Sequence, residues 1–291
     1  MKHFPDHSFG ALLQHASSQI DHSEARLLLS HISGRSSAWL IAHSDALASH
    51  DCSATYLKAV IRRTQGEPIA YITGKRGFWT FELAVSPATL IPRTETETLV
   101  EVALQIAKHT SQLHTIADLG TGSGAIALAL AQAFPATDVH AIDLSEQALD
   151  VARANAEKYG IANITFLQGN WYSALLAQQL DMIVSNPPYI AQDDPHLLAN
   201  DLPYEPLAAL ESGHDGLRDL QHIITNAYRF LRPDGWIILE HGCTQGAAVR
   251  HLLQNNGFYS IRTHNDLESR ERVTVGKNAY RSPNTQGDLV T

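Results

Sequence analysis

Apolar and polar positions alternate along this chain in two regimes. Up to about residue 75 they recur at helical spacing. Phe9-Gly10-Ala11-Leu12-Leu13 opens one helix. Asp21-His22-Ser23-Glu24 has the capping character of a second, which carries Ala25, Leu27, Leu28 and Leu29. Trp39, Leu40 and Ile41 continue an apolar face beyond Gly34. Tyr56, Leu57, Val60 and Ile61 form one stripe of a last helix, from about Ala54 to Arg63, which Gly66 and Pro68 end. The pattern predicts roughly four or five short helices, enough for a small bundle.

Residues 76–92 change period. Phe78, Trp79, Phe81, Leu83 and Val85 partly alternate, with Pro87 and Pro92 as punctuation, and predict a β-hairpin linker. Thr94 and Glu97 stand at capping-box spacing. Beyond them, apolar runs centred on Ala117, Ala141, Phe166, Ile183, Ile238 and Ile261 alternate with helical stretches such as 145–159 and 217–231. That alternation predicts a doubly wound α/β sheet. Arg272-Val273-Thr274-Val275 reads as a late strand, and the polar tail from Ala279 as disordered. The expected organisation is a helical domain over 1–75, a hairpin linker over 76–92, an α/β domain over 93–278 and a tail over 279–291.

Composition narrows the picture. A length of 291 residues accommodates two domains, and an apolar fraction of 44% supplies a sizeable core. The two cysteines, Cys52 and Cys243, give no disulfide framework and fit a reducing cytoplasm. Residues 1–6 lack the apolar core of a signal peptide, and no apolar run is long enough for a membrane span. A net charge of −9 counts against a protein that grips duplex DNA by its phosphates. The short basic clusters, Arg62, Arg63, Lys75 and Arg76 and then Arg270 and Arg272, read as solvated faces. The 16 histidines are scattered without Cys/His ligand spacing, so no metal site is expected.

Candidate chemistry gathers at strand ends. Ile116-Ala117-Asp118-Leu119 runs into Gly120-Thr121-Gly122-Ser123-Gly124 and then into a good helix former, Ala125 to Ala131. The glycines let a ligand approach the backbone. A second strand ends in Asp143, about twenty residues on, where a carboxylate can hold both ribose hydroxyls. Spacing alone marks a nucleotide site and leaves the nucleotide open, because Gly120, Gly122 and Ala125 also satisfy the dinucleotide fingerprint. Asn186-Pro187-Pro188-Tyr189 follows the buried run Met182-Ile183-Val184 and selects among cofactors. Its prolines remove two backbone donors, leaving a side-chain amide, a carbonyl and a phenol ring, a set that suits a planar amino group. Beside an adenosine site, such a receptor suits methyl transfer better than hydride transfer.

With these two motifs the chain resembles the HemK/PrmC family of S-adenosylmethionine-dependent methyltransferases, which methylate a glutamine side chain of peptide chain release factors. Further stretches carry the likeness: 68–74 (PIAYITG), 90–97 (LIPRTETE), 204–210 (YEPLAAL) and 239–242 (LEHG). The resemblance implies a Rossmann-like class I methyltransferase sheet, seven-stranded if residues 272–275 insert antiparallel, and an N-terminal helical bundle that holds the protein substrate. It implies S-adenosyl-L-methionine as cofactor, held by Gly120, Thr121, Gly122, Ser123, Gly124, Asp143, Trp171 and Asn186. Asn186, Pro187, Pro188 and Tyr189 would bind the substrate amide, with Asn186, Pro187 and Tyr189 acting in catalysis. The implied substrate is the glutamine of the Gly-Gly-Gln motif in class 1 release factors, methylated in the cytoplasm by a monomer that does not bind nucleic acid directly. The family usually carries an acid where this chain has Asn170. The alternatives are a nucleic-acid adenine amino-methyltransferase, which shares the Asn-Pro-Pro-Tyr motif and would flip a base against Tyr189, and a binding module without turnover.

Overall fold

The computed structural model describes residues 7–110, 113–175, 179–199 and 201–279. The expectations for residues 1–6 and for the tail beyond Ala279 fall outside the described residues. The chain forms two compact units, residues 1–75 with 200–204, and residues 76–199 with 205–291.

The first unit holds five helices: α1 (Phe9–Ala16), α2 (His22–Ser33), α3 (Ser37–Ala42), α4 (His50–Thr64) and α5 (Ile69–Thr73). Ser8, Asp21, Ser36 and Ser49 each accept a first-turn backbone N–H from the helix they precede. Leu12, Leu28, Leu29, Leu40 and Val60 close a core around Tyr56, whose buried hydroxyl donates to the Ala25 carbonyl at 3.0 Å. The cap at Ser49 starts α4 ahead of the expected Ala54. Ile61 leaves the expected stripe and is 53% exposed, because it lies one helical step of about 100° past buried Val60. Pro68 does more than end α4. It opens α5, which closes on Gly74 in the left-handed conformation.

A hairpin follows, β1 (Lys75–Phe78) and β2 (Phe81–Ala84), whose residues from Arg76 on belong to the second unit. Phe78, Phe81 and Leu83 are buried in the core of this unit. Its helix α6 (Glu97–Lys108) follows a 3₁₀ turn over Thr94–Thr96. The expected capping box does not form. Glu97 Oε1 instead accepts the Trp79 N–H at 2.8 Å and fastens the hairpin to α6.

Strands and helices then alternate: β3 (Thr115–Leu119), α7 (Ala125–Ala133), β4 (Asp138–Asp143), α8 (Glu146–Tyr159), β5 (Ile164–Gln168), β6 (Leu180–Ser185), α9 (Arg218–Ala227), β7 (Leu231–Glu240), α10 (Gly246–Asn255), β8 (Phe258–Asn265) and β9 (Glu271–Asn278). They build a seven-stranded sheet in the order β5-β4-β3-β6-β7-β9-β8. Neighbours from β5 to β7 pair parallel, and β9 inserts antiparallel between β7 and β8. The expected helix over 217–231 ends at Ala227, because the Phe230 carbonyl takes the Leu180 N–H at 2.7 Å and draws Leu231 into the sheet. One core, with Leu99, Leu128 and the hairpin, covers one face of the sheet; Leu220, Ile224, Val249 and Leu253 cover the other. Every residue of β6 is buried, Asp181 and Ser185 included, which fits the apolar run Met182–Val184. Among the described residues no helix is long and apolar enough to cross a membrane.

Two of the stretches quoted above meet here. The Glu205 side chain is fully buried; its Oε2 accepts the Ile91 N–H at 2.9 Å and its Oε1 pairs with the Arg93 guanidinium. The segment after β6 is thereby stapled to the segment before α6. Glu205→Ala leaves a buried amide and a half-buried guanidinium without their acceptor. The expected loss is about 2–4 kcal/mol of stability, read as a lower midpoint in urea unfolding of the second unit.

Candidate functional site

The sheet reverses its order of travel between β3 and β6. Successive strands run from β3 through β4 to β5 on one side, and from β6 to β7 on the other. Register aligns the ends: Leu119 pairs with Ile142 on one flank and with Ser185 on the other. Ser185 Oγ also donates to the Leu119 carbonyl at 2.6 Å. The residues just beyond, Gly120, Asp143 and Asn186, therefore emerge side by side, where open α/β sheets bind ligands.

A cavity of about 570 Å³ lies there, lined by Gly120, Gly122, Asp143, Trp171, Asn186 and Pro188, among others. The glycine turn is held under it by Gly120 and Thr121 N–H groups, which both donate to the Ile142 carbonyl. Gly120 has φ of 76°, and a Cβ there would stand 3.4 Å from Cζ3 of Trp171, so the indole lies directly against the turn. Gly124, at φ 83°, starts α7 so close to Leu128 that a Cβ would meet its Cδ1 at 2.5 Å. Asp143 accepts from Gly122 N at 2.8 Å and from Ser145 N at 2.9 Å. Burial pushes its pKa up, against those amides, which pull it down.

Several expected residues sit behind this lining. The Thr121 hydroxyl donates to Asp118 Oδ2 at 2.7 Å, and the Ser123 carbonyl accepts from the Asn155 amide. Pro187 is buried and Tyr189 half-buried; the Tyr189 hydroxyl donates to Glu240 Oε1 at 3.2 Å. Asn170 is exposed and lines the cavity.

Three further residues went unassigned on sequence. Asp118, fully buried at the end of β3, accepts from Thr121 and from Ala127 N at 3.2 Å, while its Oδ1 has no partner among the described residues. Burial raises its pKa to about 7. Thr96 accepts from Asn186 Nδ2 at 3.1 Å. Glu240 is 1% exposed, and burial likewise raises its pKa to about 7, opposed by Thr96, the Arg272 charge and Tyr189. Thr96 and Glu240 lie in the 90–97 and 239–242 stretches, but nothing local in the sequence shows that they back onto Asn186 and Tyr189. Among the described residues no cluster of His, Cys, Asp or Glu has the makings of a metal site.

The residues present fit an adenosyl cofactor. Trp171 offers a flat apolar wall, Asp143 an acidic edge for a diol, and Gly122 open space, with nothing within 4 Å of the position of a Cβ. A solved methyltransferase from Pyrococcus furiosus is similar in fold, with a TM-score of 0.52 at 16% identity over 76% of this chain and 98% of that one. Fold and site together define a class I methyltransferase, and residues 110–286 match the methyltransferase domain model. Residues 7–74 match the model of the PrmC N-terminal domain. The release factor glutamine methyltransferase of Xylella fastidiosa (strain Temecula1 / ATCC 700964) is 51% identical over 92% of this chain and 97% of its own length. That of Escherichia coli (strain K12) is 45% identical over 92% of this chain and 96% of its own. The chain belongs to the release factor glutamine methyltransferase family.

The buried carboxyl of Asp118 gives stability a measurable pH dependence. Between the ordinary 3.8 and about 7 the folded protein holds a proton there that the unfolded chain has released. Its contribution therefore falls as pH rises through that window. Asp118→Asn has no such proton, so its stability relative to the native chain should rise with pH by at most about 1.4 kcal/mol per unit, read from urea midpoints at pH 5 and 7.

Proposed function

We infer that this protein transfers a methyl group from S-adenosylmethionine to the side-chain amide nitrogen of a glutamine in peptide chain release factors, at the Gly-Gly-Gln motif of class 1 factors. The observation that carries the reading is the convergence of Asp143, the glycine turn and Asn186 on one cavity, in a chain that aligns nearly end to end with enzymes of that name. The helical unit, matching the PrmC N-terminal domain, is assigned to holding the protein substrate. The reading places the protein in the cytoplasm, as a monomer without direct nucleic-acid binding.

Gly120 to Gly124 would pass under the cofactor, Asp143 would accept its ribose hydroxyls, and Trp171 would flank its purine. When bound, S-adenosylmethionine supplies a methyl carbon made electrophilic by the adjoining sulfonium. Asn186 and the Pro187 carbonyl would each accept one N–H of the substrate amide, with Pro188 and Tyr189 completing its seat. An amide nitrogen is a weak nucleophile, because its lone pair is delocalised. Holding both hydrogens turns the nitrogen toward the methyl carbon, and such in-line placement supplies roughly 7–11 kcal/mol in favourable cases. The same acceptors stabilise positive charge growing on nitrogen. The nitrogen–carbon bond would form as the carbon–sulfur bond breaks, and the nitrogen proton would leave to water.

Asn186→Ala should cut methyl transfer at least about a hundredfold while leaving cofactor affinity within a few fold. Asp143→Ala should instead weaken S-adenosylmethionine binding in isothermal titration. With tritiated cofactor, label should appear on purified release factor. Label on duplex DNA or ribosomal RNA alone would reject the reading in favour of an adenine methyltransferase.

A further inference from the structure

We propose that Gln245 is a positioning residue for methyl transfer: its side-chain amide ties the Tyr189 end of the Asn186–Tyr189 receptor to the end of β7 and to the loop at Asp215–Gly216. This rests on the methyl-transfer reading above, whose receptor it serves.

The two ends of the receptor are anchored differently. Asn186 follows directly from β6, so the sheet sets its place. Pro187 and Pro188 carry no N–H, so the segment beyond can be held there only through carbonyls and side chains. The reading above assigns the Pro187 carbonyl to the substrate. The Tyr189 carbonyl accepts from Gln245 Nε2 at 3.0 Å. The same nitrogen donates to the Gly216 carbonyl at 3.3 Å and reaches the Asp215 carbonyl at 3.5 Å. On its other side, Gln245 Oε1 accepts the Gly242 N–H at 2.9 Å. A backbone N–H can only donate and a backbone carbonyl can only accept, so these contacts fix which way the Gln245 amide faces. Turned over, it would set its NH2 against an N–H and its oxygen against carbonyls.

A second observation converges on the same carbonyl. Gly216 has φ of 73°, and a Cβ there would stand 2.3 Å from the Tyr189 oxygen and 2.8 Å from Gln245 Nε2. Glycine lets this loop come so close. The Tyr189 hydroxyl meanwhile donates to Glu240 Oε1 at 3.2 Å. Tyr189 is therefore held at its ring by the last residue of β7 and at its carbonyl by the residue just before α10. Gln245 stands at the cap of α10, yet its side chain bonds no N–H of that helix, so capping does not account for it. It is not among the residues that line the cavity, which separates it from groups that touch substrate.

The test uses the full-length protein with purified release factor and with S-adenosylhomocysteine as probe. Gln245→Met keeps the length of the side chain and removes its hydrogen bonds. It should lower kcat about ten- to a hundredfold, with the KM for S-adenosylmethionine and the Kd for S-adenosylhomocysteine changed less than about threefold. Gln245→Glu keeps an oxygen for Gly242 but loses the donors to Tyr189 and Gly216, and should fall at least as far. Ile224→Val, a mild core change on α9, should keep kcat within about twofold, which separates positioning from lost stability. In an Asn186→Ala background, Gln245→Met should cost less than about threefold further. A second measurement needs no turnover: nitrogen-15 spectra of the native protein should show the Gln245 side-chain NH2 exchanging at least about tenfold more slowly than in an unstructured peptide. Native kcat in Gln245→Met or Gln245→Glu, an equal loss in Ile224→Val, loss of cofactor affinity in step with kcat, a full further loss in the Asn186→Ala background, or free exchange of the Gln245 amide would each overturn the proposal. A native protein that leaves release factor unlabelled would reject the methyl-transfer reading instead, and the exchange measurement would still decide whether the amide holds Tyr189.

Discussion

The register of β3 against its two neighbours is the constraint on which the rest of the site depends. Parallel pairing sets Leu119 level with both Ile142 and Ser185. A slip of one residue in either pairing would turn a whole strand over, because side chains alternate faces. The glycine turn, Asp143 and Asn186 come from three separate parts of the chain, and only this register delivers them to one cavity. The burial of β6 on both faces protects it, since any slipped pairing would have to bring a different set of residues into the core.

Around that frame the polar groups fall into layers. Gly120, Gly122, Asp143, Trp171 and Asn186 line the cavity. Behind them sit buried acids that touch no solvent: Asp118 under the glycine turn, Glu240 under the Asn-Pro-Pro-Tyr segment and Glu205 between two wall segments. Glu205 and Glu240 bind groups distant in sequence, whereas Asp118 takes Thr121 and Ala127 a few residues on. Glu205 joins Ile91 and Arg93, and Glu240 takes the Tyr189 hydroxyl. Removing water from these acids makes their hydrogen bonds stronger and any unpaired oxygen more costly. The result is a lining held from behind by groups that an inspection of the cavity alone would miss.

The alternation of strands and helices was legible in the chain because it is a local periodicity. The strand centres at Ala117, Ala141, Phe166, Ile183, Ile238 and Ile261 all fall within β3 to β8. The errors were equally local. Ser49 caps α4 and moves its start, and the pull of the sheet on Phe230 ends α9 early. Glu97 had the spacing of a cap but met Trp79 of the hairpin first. In each case a competing partner, absent from the window that spacing inspects, took the group.

The chain by itself determined which segments would be strands, where glycine was needed to turn between them, and which side chains could bind a nucleoside or a planar amide. Those are properties of short stretches: apolar period, backbone freedom and donor or acceptor type. Only the tertiary structure decided that Thr96 meets Asn186, that Glu240 meets Tyr189, and that Glu205 closes on Arg93. Such meetings depend on strand order and register across a hundred or more residues, and two polar residues carry no mark of each other until the sheet brings them within a hydrogen bond.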